Sequence, residues 1–399
     1  MVKRFINLFG KEIIGLHEAA YLLAFFAVLS QILALVRDKL LAYSFGAGHL
    51  LDIYYAAFRI PDLVFVSIAS VVSASVLVPF FIEHTDQDGD KGRQFIDNIF
   101  SVFFIAVVIV SVIVFFFTPT LVRFLLPGFI ESSSFLEIVI ATKILLLSPI
   151  FLGLSNFFSS ITQMHKRFLV YALSPLVYNV GIILGIIFLY PIWGINGLIW
   201  GVVIGAFLHM VIQVPFILKK NLFPRLRVNI DLSSIKRVVL TSLPRTIALS
   251  ANQLASFFLI ALASLMAHGS ISVFNLAFNL QSVPLSVIGV SYSSAIFPTL
   301  SRFFVKGETN LFLGKMIESA RHIIFWSIPI TILFVVLRAQ IVRTIYGAGE
   351  FDWSDTRLTA ATLAIFIFSV VGQSLILLFI RAYYAAGKTK KPLVMNVSS

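Results

Sequence analysis

The chain has 399 residues, of which 59% are apolar and only 12% charged, with no cysteine. Soluble domains carry about 25% charged residues, so a soluble globular fold is excluded, and the absent thiols exclude disulfides, thiolate metal sites and cysteine nucleophiles. The net charge of +12 is not read as a nucleic-acid footprint, because excess Lys and Arg in a membrane protein gathers in cytoplasmic loops.

Met1-Val-Lys-Arg4 precedes the first apolar run without a small-residue cleavage site, so the N-terminus is expected to be retained. Apolar runs that reach the ~20 residues needed to cross a bilayer recur at roughly 17–45, 51–83, 95–118, 134–163, 168–190, 195–218, 236–266, 270–304, 312–337 and 358–385. They predict an all-α polytopic membrane protein of about ten complete spans. The tail Pro392-Leu-Val-Met-Asn-Val-Ser-Ser399 reads as the start of an eleventh span, cut short.

The first span carries Gln31 and the adjacent pair Arg37 and Asp38, and the second carries Asp52 and Arg59. A charge at bilayer depth costs at least ~2.5–3.5 kcal/mol on insertion scales and marks a protein interior or a watery pathway. Arg37 and Asp38 point about 100° apart on a helix and so do not pair with each other; Asp38 is expected to meet Arg59 or Arg245. Two readings follow: a buried ion network that fixes packing, or a cavity wall that attracts an anionic substrate. Asp52, near the outer end of its span, suits capping of a helix N-terminus.

The loops fix an expected orientation. With the N-terminus inside, the cytoplasmic segments hold Lys3, Arg4, Lys166, Lys219, Lys220, Arg225, Arg227 and others, nineteen basic residues in all, against Arg123, Arg338, Arg343 and Arg357 outside. The longest interior polar connection, Lys219 to Ser234, divides residues 1–218, an N-terminal lobe of six spans, from residues 236–399, an incomplete C-terminal lobe, with 219–235 as the linker. Its basic residues read either as an ordinary inside linker or as a site for anionic headgroups. A repeat crosses it: Ala57-Phe-Arg-Ile60 lines up with Ala277-Phe-Asn-Leu280, Leu77-Val-Pro79 with Ile296-Phe-Pro298, and Lys166-Arg-Phe-Leu-Val170 with Lys390-Lys-Pro-Leu-Val394. The nearly fixed offset predicts two parallel lobes related about the membrane normal.

The seventh span holds Pro244, Arg245, Asn252 and Gln253, with Arg245 and Asn252 on one face; the eighth adds Asn275, Asn279 and Gln281. Such polar stripes line a hydrophilic cavity or bond neighbouring helices. Glu137, Lys143 and Arg321 fall near span ends and read as interfacial. Glu350, Asp352 and Asp355 read as a solvated acidic loop. The seven histidines lack metal-ligand spacing, and no phosphate-cradling glycine loop, nucleophile elbow or ATP signature is present, so no enzyme is expected.

The order Arg37-Asp38, Phe45-Gly-Ala-Gly48, Asp52, Ala57-Phe-Arg-Ile-Pro61 and Leu77-Val-Pro79 resembles the MurJ/MviN family, lipid II flippases of the MOP exporter superfamily. The resemblance continues through Ser174-Pro-Leu-Val-Tyr-Asn179, Pro298-Thr-Leu-Ser301 and Gly347-Ala-Gly-Glu-Phe351. It implies a MOP-type two-lobed bundle with a central cationic cavity, in a multi-pass protein of the bacterial inner membrane. It implies transport of a polyprenyl-pyrophosphate-linked peptidoglycan precursor, lipid II, between leaflets, beside cell-wall synthesis proteins as candidate partners. Arg37, Asp38, Asp52 and Arg59 match family polar positions. Gln31, Phe65, Val66 and Asn279 stand where family members often carry cations. The expected substrate-binding set is Gln31, Arg37, Asp38, Arg59, Arg245, Asn252 and Asn279, with the three arginines on the pyrophosphate. No cofactor is expected; the energy source is a coupling ion or the membrane potential, with Asp38 as the coupling acid. Rival readings are transport of another polyprenyl-linked glycan and a non-transporting cell-wall scaffold; a drug pump would want acidic rather than basic cavity residues.

Overall fold

The computed structural model describes residues 16–69, 72, 76–78, 80–81, 89–130, 132–227, 232–387 and 391. Among these the chain is a succession of helices with no strand, as expected where no water is present to satisfy a backbone group. In chain order they are α1 (Leu16–Phe45), α2 (His49–Ala57), α3 (Arg59–Ala69), α4 (Gly89–Leu125), α5 (Phe135–Leu145), α6 (Leu147–Met164), α7 (Phe168–Leu184), α8 (Tyr190–Trp193), α9 (Ile195–Val211), α10 (Val214–Lys219) and α11 (Leu232–Ser264). Then come α12 (Ser270–Pro284), α13 (Ser291–Val305), α14 (Thr309–Val336), α15 (Arg338–Tyr346), α16 (Trp353–Ile367) and α17 (Ser369–Ala385). Single π-helical turns, Gly185–Leu189 and Leu285–Val290, carry α7 into α8 and α12 into α13.

Seven continuous helical stretches among the described residues are long and apolar enough to cross a bilayer, and α16 and α17, bent by 42°, are so only when taken together. These match eight of the ten predicted spans. The predicted second span is broken: α2 stops at Ala57, the chain turns at Phe58, and α3 begins at Arg59. The seventh lies in α11, whose apolar part is only Leu249–Ser264, because Lys236, Arg237 and Arg245 dilute its first half. The predicted eleventh span, from residue 392, lies outside the described residues.

Packing divides the chain into two compact units, Met1–Arg37 with Ile53–Leu265, and Asp38–Asp52 with Met266–Ser399. The expected linker 219–235 falls inside the first unit, in which α11 lies on α3, on α4 and on the 3-10 turn Pro127–Phe129.

The first unit buries a phenylalanine-rich core of Phe81, Phe95, Phe100, Phe103, Phe157 and Phe158, with the Phe100 and Phe157 rings 5.5 Å apart. α7 and the π-helical turn that follows it cross α9 on glycines: a Cβ at Gly185 would lie 2.6 Å from the Cα of Gly201, and one at Gly181 would lie 2.3 Å from the Cα of Gly205. Small residues let membrane helices approach this far. Polar bonds add to the packing, with Ser159 Oγ donating to Gln213 Oε1 at 3.0 Å and Gln213 fully buried. The linker is stitched to α4. Asp97, buried, accepts from Arg225 N at 2.9 Å and Arg227 Nε at 3.3 Å, and Arg93 reaches the carbonyls of Asn221 and Phe223.

In the second unit, α1 ends because Gly46 adopts φ +61°, a left-handed conformation that favours glycine, and its N–H bonds the Ala42 carbonyl at 2.8 Å. The Gly46–Gly48 turn rests on the 347–351 loop. Glu350 N donates to Tyr43 O at 2.9 Å, and a Cβ at Gly46 would lie 2.7 Å from Glu350 O. Two of the motifs that carry the family resemblance are thus in contact.

Candidate functional site

Each unit holds polar groups at membrane depth that bond one another. In the first, Arg37 on α1 donates from Nη1 to Asn179 Oδ1 at 2.9 Å. Asn179 spends its amide N–H on the Pro175 carbonyl at 3.0 Å, which leaves its oxygen for the guanidinium. Tyr178, next on α7, lies in the electrostatic reach of both Arg37 and Asp62. Arg59 opens α3 and is 8% exposed. Its electrostatic partner is Asp62, three residues on along the same helix. Ser67 and Ser250 link α3 to α11 through their hydroxyls at 3.4 Å. The result is a pair of cations on α1 and α3, one held by an amide and one beside a carboxylate. Guanidinium groups so placed can take a phosphate bidentately and do not lose their charge.

In the second unit, Asp38 is 2% exposed and accepts a hydrogen bond from Asn279 Nδ2 at 2.9 Å. This contact joins residues 241 apart in sequence and brings α12 against the end of α1. Asp52 sits at a helix N-terminus. It caps a helix, but α12 rather than its own: its carboxylate accepts from Gly269 N at 2.5 Å and from Ser272 N and Oγ at 2.7 and 2.6 Å. Charge at a helix N-terminus is favoured wherever it comes from in the chain.

The acidic loop is not simply solvated. Asp352 and Asp355 form a capping box at the start of α16, and Asp355 Oδ2 also accepts from Ala47 N at 2.9 Å. Asn275 turns back to the Ile271 carbonyl on its own helix, whereas Gln281 donates to Ser369 Oγ at 2.6 Å and bonds α12 to α17. Gln31 is half-buried on α1, six residues before Arg37. Arg245 and Asn252 lie on α11, and their side chains are outside the described residues. Among the described residues, no group of three or more His, Asp or Glu is placed to hold a metal ion. His49 and His268 do meet, Nδ1 to Nδ1 at 3.3 Å, across 219 residues that no local spacing rule bridges.

Residues 41–399 match the family model described as lipid II flippase MurJ. The chain belongs to the lipid II flippase MurJ family. A curated relative, lipid II flippase MurJ of Burkholderia cenocepacia, is 26% identical over 391 residues, which is 96% of this chain and 76% of the relative. A solved structure of lipid II flippase MurJ in an inward-closed conformation superposes with a TM-score of 0.82 at 23% identity, over 94% of this chain and 78% of that one. An inward-facing multidrug-resistance MATE transporter of the MOP superfamily gives a TM-score of 0.77 at 13% identity, over 92% and 83%. The fold is therefore that shared by MurJ and MATE transporters. The family model begins at residue 41, so Arg37 and Asp38 stand just before its matched range, while the Burkholderia MurJ alignment takes in nearly the whole chain.

Sequence reasoning missed Asn179, Tyr178 and Ser272 as partners of the membrane-depth charges. The first two lie in Ser174-Pro-Leu-Val-Tyr-Asn179, a stretch quoted for its MurJ resemblance. An amide in the middle of an apolar span was the available signal.

Proposed function

We propose that the chain is a flippase that moves the polyprenyl-pyrophosphate-linked peptidoglycan precursor, lipid II, from the inner to the outer leaflet of the bacterial inner membrane by alternating access. Membership of the MurJ family across residues 41–399 carries this reading. The buried polar groups support it. Arg37 and Arg59 bind the pyrophosphate, Asn179 and Asp62 hold them in place, and the polyprenyl tail stays in lipid while the head group crosses. Arg245, Asn252 and Gln31 are further candidates for substrate contact. Asp38, with Asn279, is the candidate coupling acid for an ion gradient or the membrane potential. The N-terminus is cytoplasmic, and proteins of cell-wall synthesis consume the product.

The test is complementation. Cells depleted of their own lipid II flippase should regain growth when the gene is expressed, and an Arg37→Ala version present at equal level in the membrane should not restore it. Rescue by the Arg37→Ala version would remove the pyrophosphate-clamp assignment. Absence of rescue by a well-inserted parent would shift the substrate to another polyprenyl-linked glycan or the role to a scaffold.

A further inference from the structure

Away from these networks, the first unit holds an open cavity of about 390 Å³ between α4, α5, α6 and α9, within the roughly 300–1,000 Å³ of ligand-binding pockets. Its wall is apolar, with Val112, Ile150 and the Trp200 indole among its residues. Two groups in it are unusual for an apolar groove. The Lys143 ammonium sits 4.7 Å from the centroid of the Phe115 ring. Ser111 is 4% exposed, and its hydroxyl meets no hydrogen-bond partner among the described residues. Thr118, on the same helix, bonds its own i−4 carbonyl at 2.7 Å, whereas the Ser111 hydroxyl makes no such bond. A buried hydroxyl without a partner costs free energy until a ligand supplies one.

We infer that this cavity binds one phospholipid with an anionic headgroup. Its phosphate lies on Lys143, an ester carbonyl accepts from the Ser111 hydroxyl, and an acyl chain runs along Val112 and Ile150. The spacing fits this arrangement. Ser111 is one turn from Phe115, a rise of about 6 Å, and Lys143 sits over Phe115; a phosphate and the ester group below it are separated in the same direction. Charge chooses between lipids. A single lysine matches a singly charged phosphodiester, whereas a polyprenyl pyrophosphate would leave most of its charge uncompensated in an apolar groove. Val112, Phe115 and Trp200 are exposed on the helix surface, so the route of entry is lateral, from the bilayer. The site is independent of the transport reading.

The test uses a full-length variant that keeps Trp200 as its only tryptophan (Trp193→Phe, Trp326→Phe, Trp353→Phe), reconstituted in vesicles containing brominated phosphatidylglycerol or brominated phosphatidylcholine. Indole quenching should show about a fivefold preference for the anionic lipid, the value of ~1 kcal/mol for one lysine near a membrane surface. Lys143→Gln should abolish the preference and Lys143→Arg should retain it. Ser111→Ala should weaken both lipids alike. Equal quenching by the two lipids in the Lys143 parent overturns the proposal. So does displacement of brominated phosphatidylglycerol by polyprenyl phosphate at lower concentration than by unlabelled phosphatidylglycerol, which would make the cavity a substrate-tail site. The first comparison is between two lipids on one protein, so it stands even if Lys143→Gln does not fold.

Discussion

The carboxylate of Asp52 accepts two hydrogen bonds from Ser272, one from its backbone N–H at 2.7 Å and one from its hydroxyl at 2.6 Å, and the two residues are 220 apart in sequence. That separation equals the offset of the internal repeat at Ala57 and Ala277. The contact therefore ties the start of the broken second span to the start of its repeat partner, α12. Asp52 is 3% exposed, so its removal strands the N–H groups of Gly269 and Ser272 without water.

Asp52→Ala should destabilise the protein by at least about 2 kcal/mol, since each buried unsatisfied donor costs about 1–3 kcal/mol. Ser272→Ala removes only the hydroxyl and should cost about 1 kcal/mol. Thermal unfolding of the detergent-solubilised protein checks the order. Equal effects would mean that the carboxylate is not the cap.

Gly269 stands beside this cap at φ +91°, and a Cβ there would run into the Ala47 carbonyl. Gly307 also has positive φ, +73°, in the turn that ends α13, but nothing lies within 4 Å of its Cβ position. Gly269→Ala should therefore lower the melting temperature well beyond Gly307→Ala, which bears only the left-handed backbone cost of about 1–2 kcal/mol. Similar shifts for the two would contradict the close approach of Gly269 to Ala47.

The α7–α9 crossing gives a third expectation. A methyl group at Gly185 or Gly201 has no space against the facing backbone, and overpacking costs about 1–3 kcal/mol. Gly201→Ala should reduce stability by that amount, while Gly314→Ala, where nothing lies within 4 Å, should not. Melting curves of the two variants make the comparison.

How far the sequence reaches is clear from particular residues. Of the ten predicted spans, those that are long and continuously apolar reappear as long apolar helices, because hydrophobic length alone marks them. The break at Phe58 was hidden: α2 and α3 are apolar on both sides of it, and only Arg59 at the start of α3 hints at the interruption. Charges were legible, but their partners were not. Asp38 finds Asn279, Arg37 finds Asn179 and Asp355 finds the Ala47 N–H, contacts across 142 to 308 residues that helical spacing does not encode. Asp52 caps α12, which another stretch of the chain supplies, because a helix N-terminus attracts a carboxylate without regard to which segment supplies it. The grouping of α11 by packing was likewise unreadable from loop charges, which report topology rather than contact.

Asn179→Ala tests whether Arg37 is positioned for its task. Loss of a hydrogen bond to a charged group is worth about 1.5–3 kcal/mol, which is a transport deficit of about tenfold or more. Arg37→Lys should fall further, because an ammonium does not reproduce the planar two-point contact. Full transport in Asn179→Ala would mean that the guanidinium is oriented by the substrate itself.

The most direct test of the account is the amount of lipid II that reaches the outer leaflet, read with a membrane-impermeant probe in cells depleted of their own flippase. With the parent gene expressed, outer-leaflet lipid II should return to the undepleted level, and Arg37→Ala should hold it near the depleted background at equal membrane abundance. A parent that inserts normally yet leaves lipid II on the inner leaflet would contradict the flippase reading.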